Sequence, residues 1–482
     1  EQEVNTQAIH HTIHPTSAWK TQYDNALRAF ESLGVKVERL QGDRTSGQPN
    51  VAGNRFFHLL AHAYKTKQPV FIEIPRDLVK AKTQSINLPN SLEHIHWSEY
   101  VLSGSELIAA QIVGKLNEAQ APILYLGDKL KHNKQLKSLI IEFAEKFNIP
   151  FATSWFAKGL FDEFHPLSLN CYNGIFSQTA GRDYIENGAD YVLDVATSIC
   201  IQDTNTAFGT GTHKIENMKN KTLLKGGTVL EKDIVEVFEH LIKSDIKQSK
   251  FTPFNQNLSH MAQRLNREDD IDFDNLAITL NEIQENNDRP FIYLPEVGNS
   301  YFASYSLKVR ANQLGRGWLT NPWYGAMGTA IPYARVVAKQ IKQQQLNARA
   351  VVVIGDGGFH FQLNELIELL KDRTDVVIIY MRNNVFHLGK SGDQDIYHCN
   401  DDGFNVSAII KAYQGMYYTC KSVAEFNNVF NSALDRSGIN LIEIRANPIE
   451  EKQCNELRLL NLYIKAKNGD KVSQEKWSAI TS

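Results

Sequence analysis

The chain has 482 residues, a formal net charge of −3, 42 % hydrophobic and 22 % charged residues. That size predicts two or three globular domains, and the near-neutral charge removes the usual reason to expect nucleic acid or an anionic membrane as partner. No apolar run reaches the roughly 18–20 residues that span a bilayer, and five scattered cysteines without a CxxC pair argue against a disulfide framework or zinc site and fit a reducing cytoplasm.

In chain order, Pro69-Val70-Phe71-Ile72-Glu73-Ile74-Pro75 predicts a short strand closed by proline, and the polar stretch from Lys80 to about Ser98 a linker. A second block opens with the strand Ala121–Gly127. The helical pattern Leu136–Phe147 follows, then the strands Ile149–Thr153 and Ala189–Val195. The Lys- and Asn-rich region from about His213 to Asn257 predicts a helix, Asp233–Leu241, and a second linker. The third block carries strands at Phe291–Glu296, Ala350–Ile354, Val376–Tyr380 and Leu441–Ile444. Alternation of this kind predicts an α/β protein with doubly wound parallel sheets.

The most informative cluster is Gly355-Asp356-Gly357, separated by 25 residues from Asn383-Asn384. Each polar group follows a buried-type strand. The intervening Phe361–Leu370 has apolar residues at 361, 363, 366, 367 and 370, predicting one helix that faces the core. Both groups therefore leave the carboxyl ends of parallel strands, where open α/β sheets bind ligands. A carboxylate and an amide oxygen there are hard donors suited to Mg²⁺, which is commonly shared with substrate phosphates. The glycines let backbone approach a phosphate closely.

This pattern resembles the thiamin-diphosphate motif, and the three blocks in order resemble the two-oxoacid decarboxylase branch of those enzymes, nearest to the phenylpyruvate and indolepyruvate decarboxylases. The resemblance rests on Pro69–Val79, Lys158-Gly159-Leu160 with His165-Pro166, Ala189–Asn205, Asp203-Thr204-Asn205-Thr206 and the motif above. It implies three domains: the C-terminal half of a pyrimidine-binding domain over residues 1–85, a middle domain over 86–250 and a pyrophosphate-binding domain over 265–482. It further implies thiamin diphosphate and Mg²⁺ as cofactors, with Asp356, the Asn384 side chain and the Phe386 carbonyl as metal ligands. Gly355, Gly357 and Gly358 would lie against the diphosphate, and Glu296, Gly298 and Asn299, within Glu296–Ser300, near the cofactor. Gly325 and Met327 would hold the aminopyrimidine, and His387, just after the Asn pair, would lie near the cofactor by its position. His10 and His11 would move protons near a 2-oxo acid substrate; read alone, without the resemblance, they fit solvated loop histidines better. A homodimer or homotetramer is implied, since the family's cofactor lies between subunits.

Two departures stand out. The family's activating glutamate lies well upstream of the segment matched by His10-His11, so a longer segment is expected to precede His10 in the full-length protein. The position where pyruvate-type decarboxylases place a second glutamate is Lys390. Decarboxylation of an aromatic or branched 2-oxo acid is the expected reaction. The alternatives are an acetolactate synthase-like carboligation and cofactor binding without turnover.

Overall fold

The computed structural model describes residues 14–15, 21–22, 25–40, 52–66, 68–74, 105–174, 176–177, 179–197, 212–218, 221–224, 228–230, 234–253, 265–322, 324–383, 404–445 and 454–481. The chain divides into two compact units, Glu1–Val101 and Leu102–Ser482.

In the first unit, strands β1 (His14–Pro15) and β2 (Thr21–Gln22) pair antiparallel. Strands β3 (Lys36–Arg39) and β4 (Val70–Glu73) pair in parallel, with helix Ala52–Thr66 between them in sequence. A helix between parallel strands is the connection such pairing requires. Leu40 and Leu59 are buried, Phe30 stacks on Phe71 at 4.2 Å, and Arg39 pairs with Glu73 at 3.0 Å across the two strands.

The second unit holds two sheets. The first contains β5 (Pro122–Leu126), β6 (Phe151–Thr153), β7 (Ser168–Cys171), β8 (Tyr191–Val195), β9 (Thr212–Met218), β10 (Lys221–Leu224) and β11 (Thr228–Leu230), in the order β11-β10-β9-β8-β5-β6-β7. Strands β5 to β9 pair in parallel, whereas β9, β10 and β11 form an antiparallel meander. The stretch expected to hold only a helix and a linker thus adds three strands ahead of helix Ile234–Lys243. Its polar, lysine-rich composition masks strands placed towards the edge of a sheet.

Helix Lys134–Phe147 shows how local sequence sets an element. The Asn133 side chain accepts from the Leu136 N–H at 2.9 Å at its start, and Asn148 closes it in the left-handed conformation at φ 54°. Leu136, Ile140, Phe143, Ala144 and Phe147 recur at helical spacing and are buried. Phe143 meets Phe238 of helix Ile234–Lys243 edge-on at 5.5 Å.

The second sheet contains β12 (Phe291–Pro295), β13 (Arg349–Gly355), β14 (Val376–Arg382), β15 (Met416–Cys420) and β16 (Ile439–Arg445). It is wholly parallel, in the order β12-β13-β14-β16-β15. Val351, Val353, Val377 and Ile379 enter one core, and Ala350, Val352, Ile354, Val376, Ile378 and Tyr380 enter the other. Burial on both faces explains why these strands read as unbroken apolar runs.

Two features differ from the periodicity. The helix expected over Phe361–Leu370 is two, Asp356–Phe361 and Leu363–Asp372, with Gln362 at φ −115° and ψ 19° between them. The break swings Phe361 off the core-facing stripe, leaving it 72 % exposed, while Leu366, Leu369 and Leu370 stay buried. In addition, helices Asn455–Lys467 and Lys471–Thr481 close the chain.

The two sheets of this unit are joined by a buried ion pair. The Lys158 Nζ lies 3.0 Å from the Glu163 carboxylate and donates to the Leu307 carbonyl at 2.7 Å. Glu163 in turn accepts from the Val309 N–H at 2.9 Å. Burial pushes the Glu163 carboxyl up, and the ammonium of Lys158 opposes it. Beside it, Trp155 stacks on Tyr305 at 3.9 Å. Among the described residues, no helix is long and apolar enough to cross a membrane.

Candidate functional site

The carboxyl ends of three neighbouring strands bring the site together. Strand β12 delivers Glu296, β13 delivers Gly355 and Asp356, and β14 delivers Asn383. Parallel pairing in register forces this convergence, since adjacent strands end on the same edge.

Asp356 is buried, and its two carboxylate oxygens are aimed by different donors. The Tyr380 hydroxyl donates to Oδ1 at 2.6 Å and the Asn383 backbone N–H donates to Oδ2 at 2.8 Å. Tyr380 is itself held by stacking on Phe359 at 4.2 Å. A carboxylate fixed by two donors is preorganised for a ligand, because its orientation is set before anything binds. Gly355 leaves room beside it. A Cβ there would find its nearest atom, the Met381 carbonyl oxygen, 4.0 Å away.

Glu296 plays a different part. Its Oε1 accepts from the N–H groups of Val297 at 2.8 Å and Gly328 at 3.2 Å. Its Oε2 accepts from Thr329 and Ala330, both at 3.2 Å, and from the Gln362 side chain. The carboxylate therefore covers the otherwise unpartnered amides at the start of helix Ala330–Gln343, where negative charge is favoured. It anchors the end of the loop that carries Gly325, Ala326 and Met327. Gly325 has φ +69°, a left-handed conformation that glycine adopts without strain, and a Cβ there would meet nothing within 4 Å. Met327 is 48 % exposed and Tyr324 is 87 % exposed. The Thr329 hydroxyl is buried without a hydrogen-bond partner among the described residues.

Gly358 is a close-approach position. A Cβ there would lie 2.4 Å from the Glu296 Cγ, so the segment after Asp356 packs directly on the loop-holding glutamate. Gly357 follows Asp356 in the same short helix. Gly298 has φ 126° and leads into helix Asn299–Ala303. Asn299 departs from the cluster. Its Oδ1 accepts from the Cys454 N–H at 3.2 Å and its carbonyl from the Cys454 thiol at 3.7 Å, tying this turn to the C-terminal helices. His10, His11, Asn384, Phe386, His387 and Lys390 lie outside the described residues.

Gln362 and Tyr380 were not singled out from sequence. Gln362 breaks an otherwise apolar stripe, and a polar residue on a buried helical stripe is a signal that could have found it. Tyr380 looked like one more core aromatic in a strand, and nothing in the sequence marks where its hydroxyl ends.

The arrangement suits a diphosphate shared with a hard divalent cation. The Asp356 carboxylate is the donor type Mg²⁺ prefers, and the open flank at Gly355 admits a phosphate. The exposed loop at 324–327 offers apolar surface a short way along the same strand edge.

Residues 109–242 match the central domain of the thiamine pyrophosphate enzymes, and residues 296–444 match their C-terminal TPP binding domain. The chain belongs to the thiamin-diphosphate-dependent enzyme superfamily. Its family relatives are distant and differ in reaction. An acetolactate synthase of Arthrospira platensis is 25 % identical over 65 % of the chain and 55 % of the synthase. An indole-3-pyruvate decarboxylase of Azospirillum brasilense is 19 % identical over 75 % of the chain and 62 % of the decarboxylase. The chain thus spans little more than half the length of these curated relatives. Among solved structures, a candidate thiamin diphosphate-dependent enzyme isolated from Mycobacterium smegmatis shares the fold with a TM-score of 0.62 and 16 % identity, over 89 % of this chain and 79 % of that one. The family's α/β architecture, with parallel sheets in pyrimidine-binding, middle and pyrophosphate-binding domains, accounts for the β3-β4 pair and the two large sheets described above.

Proposed function

We propose that the full-length protein is a thiamin-diphosphate- and Mg²⁺-dependent decarboxylase that converts an aromatic or branched 2-oxo acid to an aldehyde and CO₂. The observation that carries the cofactor part is the buried Asp356 carboxylate, fixed by Tyr380 and Asn383 at the carboxyl end of β13. Asp356 would hold the Mg²⁺ with the Asn384 side chain and the Phe386 carbonyl. Gly355, Gly357 and Gly358 would admit the diphosphate. Gly325 and Met327 would seat the aminopyrimidine, on a loop whose far end Glu296 fixes. When bound, thiamin diphosphate supplies a nucleophilic carbon and an electron sink for the bond that breaks as CO₂ leaves.

The chain's own residues would supply orientation, dryness and protons. Met327 and Tyr324 are exposed apolar side chains that would face the reacting region and limit water there. The proton that replaces CO₂ on the product carbon calls for a group that titrates near neutrality, and His10 or His11 suits that role. We propose further that a second copy of the protein covers the exposed Tyr324, Met327 and Phe361, giving at least a homodimer.

The second reading is carboligation of two 2-oxo acids, favoured by the match to the acetolactate synthase. The test is to supply thiamin diphosphate, Mg²⁺ and either phenylpyruvate, a branched 2-oxo acid or pyruvate to the full-length protein. Aldehyde with equimolar CO₂ from the larger acids supports decarboxylation. Acetolactate from pyruvate supports the second reading. Cofactor binding without either product overturns both.

A further inference from the structure

We infer that Gln362, acting with Glu296, is a positioning pair that sets how far the diphosphate segment 355–358 stands from the loop 325–330. The inference rests on the thiamin-diphosphate reading and concerns residues to which that reading gives no such role.

Gln362 is buried in the turn between helices Asp356–Phe361 and Leu363–Asp372, so it is rigidly joined to the segment that begins with Asp356. Its Nε2 donates to the Gly358 carbonyl at 2.9 Å and to the Glu296 Oε2. Its Oε1 accepts from the Ile331 N–H at 2.9 Å. One side chain therefore ties the diphosphate segment to both the glutamate and the helix that terminate the other loop. Glu296 completes the tie by taking the N–H groups of Gly328, Thr329 and Ala330. Among the described residues, its carboxylate makes no ion pair, so its stabilisation is by these neutral donors. Two steric contacts set the closest approach. One is Gly358 against the Glu296 Cγ, and the other is Gly328 against the Phe361 ring, which a Cβ would meet at 3.0 Å.

The chemistry at this position is specific. A donor must face the Glu296 carboxylate while an acceptor faces the Ile331 amide, and a side-chain amide offers both on one planar group. Methionine keeps the volume and loses both. Glutamate keeps the acceptor and sets two carboxylates against each other, which ionised groups cannot tolerate in a buried site. A ligand that touches only one segment does not depend on the spacing, whereas a ligand spanning both gains affinity when the spacing is preset.

The test uses the full-length protein with two ligands, Mg²⁺-pyrophosphate for the diphosphate segment alone and Mg²⁺-thiamin diphosphate for both segments, each titrated by calorimetry. Gln362→Met should weaken thiamin diphosphate by about 10-fold, the scale of lost hydrogen bonds to a charged group, and leave pyrophosphate unchanged. Gln362→Glu should bind thiamin diphosphate poorly at pH 8 and recover relative to wild type as the pH falls, because a protonated carboxyl again donates to Glu296. Unchanged thiamin diphosphate affinity in the methionine variant overturns the inference. So does parallel loss of both ligands in both variants, or a pH profile that matches wild type. A wild-type protein that binds pyrophosphate but not thiamin diphosphate overturns the cofactor reading instead.

Discussion

The two sheets of the larger unit end differently at their carboxyl edges. In the second sheet, Glu296 and Asp356 leave neighbouring strands into glycine-bearing turns, Asn383 ends the next strand, and a Cβ would meet nothing within 4 Å at Gly325 and only the Met381 carbonyl oxygen at 4.0 Å at Gly355. In the first sheet, the corresponding edge between β5 and β8 is filled by the chain itself. A Cβ on Gly127 would lie 2.1 Å from the Thr197 Cα, the Gly127 N–H donates to the Val195 carbonyl at 2.8 Å, and Lys129 N–H reaches Ala196 at 3.2 Å. The Asp194 carboxylate there accepts from the Thr197 hydroxyl at 2.6 Å, and Ala196 adopts φ 62° to make the turn. The same scaffold with the same residue types, an aspartate and a glycine at strand ends, gives an open edge in one sheet and a closed seam in the other. Architecture supplies the position, and the local turn decides whether it is a site.

The comparison can be broken in several places. The largest effect is expected at the join between the sheets. Lys158→Met would strand the buried Glu163 carboxylate and should cost about 3–5 kcal/mol in urea unfolding; a loss near zero would mean the ion pair does not hold the two sheets together. Gly127→Val should cost about 3 kcal/mol, since its side chain meets backbone, while leaving thiamin diphosphate affinity unchanged. Gly355→Ala makes the opposite pair of predictions: stability within about 1 kcal/mol and weakened cofactor binding, because its surroundings are open in the apoprotein. If both glycines respond alike, the contrast between seam and site fails.

Asp356→Ala should reduce Mg²⁺-dependent thiamin diphosphate binding by about 100-fold or more, beyond what removal of a supporting residue causes. Retained wild-type affinity in a calorimetric titration would remove Asp356 from the metal site. A pH-dependent effect concerns Glu456, whose carboxyl burial pushes up from 4.5 to about 7, with Ser306 opposing the rise and Asp274 adding to it. Its folded pKa is raised, so the stability it contributes is fully present below pH 4.5 and is lost as the pH rises through about 7. Across that window stability should fall by roughly 3 kcal/mol. Glu456→Gln should flatten the dependence, as followed by thermal melts at stepped pH.

Strands β5, β6, β8, β12, β13, β14 and β16 were legible because burial on both faces leaves an unbroken apolar run at each, whereas β7 and β15 were not read as strands. The helix after Asp356 was legible as helix and wrong in its face. Periodicity assumes one continuous screw, and the turn at Gln362 rotates Phe361 outward. Strands β9, β10 and β11 were missed because their sequence is rich in Lys, Asn and Thr and holds no unbroken apolar run of strand length. At the site, Asp356 stood out through its glycines and its distance from Asn383. Glu296 stood out only by resemblance, and its contacts with Gly328, Thr329 and Ala330 span more than 30 residues, beyond any local pattern.

By itself the sequence determined the class of fold, the strand that ends in Asp356 and the cofactor family, because apolar runs, glycines and a carboxylate at a fixed spacing are local properties. Only the tertiary structure decided that Tyr380 and Asn383 aim Asp356, that Gln362 joins the segment 355–358 to Glu296 and the start of helix Ala330–Gln343, and that Gly127 closes a seam where Gly355 leaves an opening. Each of these depends on which backbone lies opposite a given atom, and parallel pairing between strands far apart in the chain sets that.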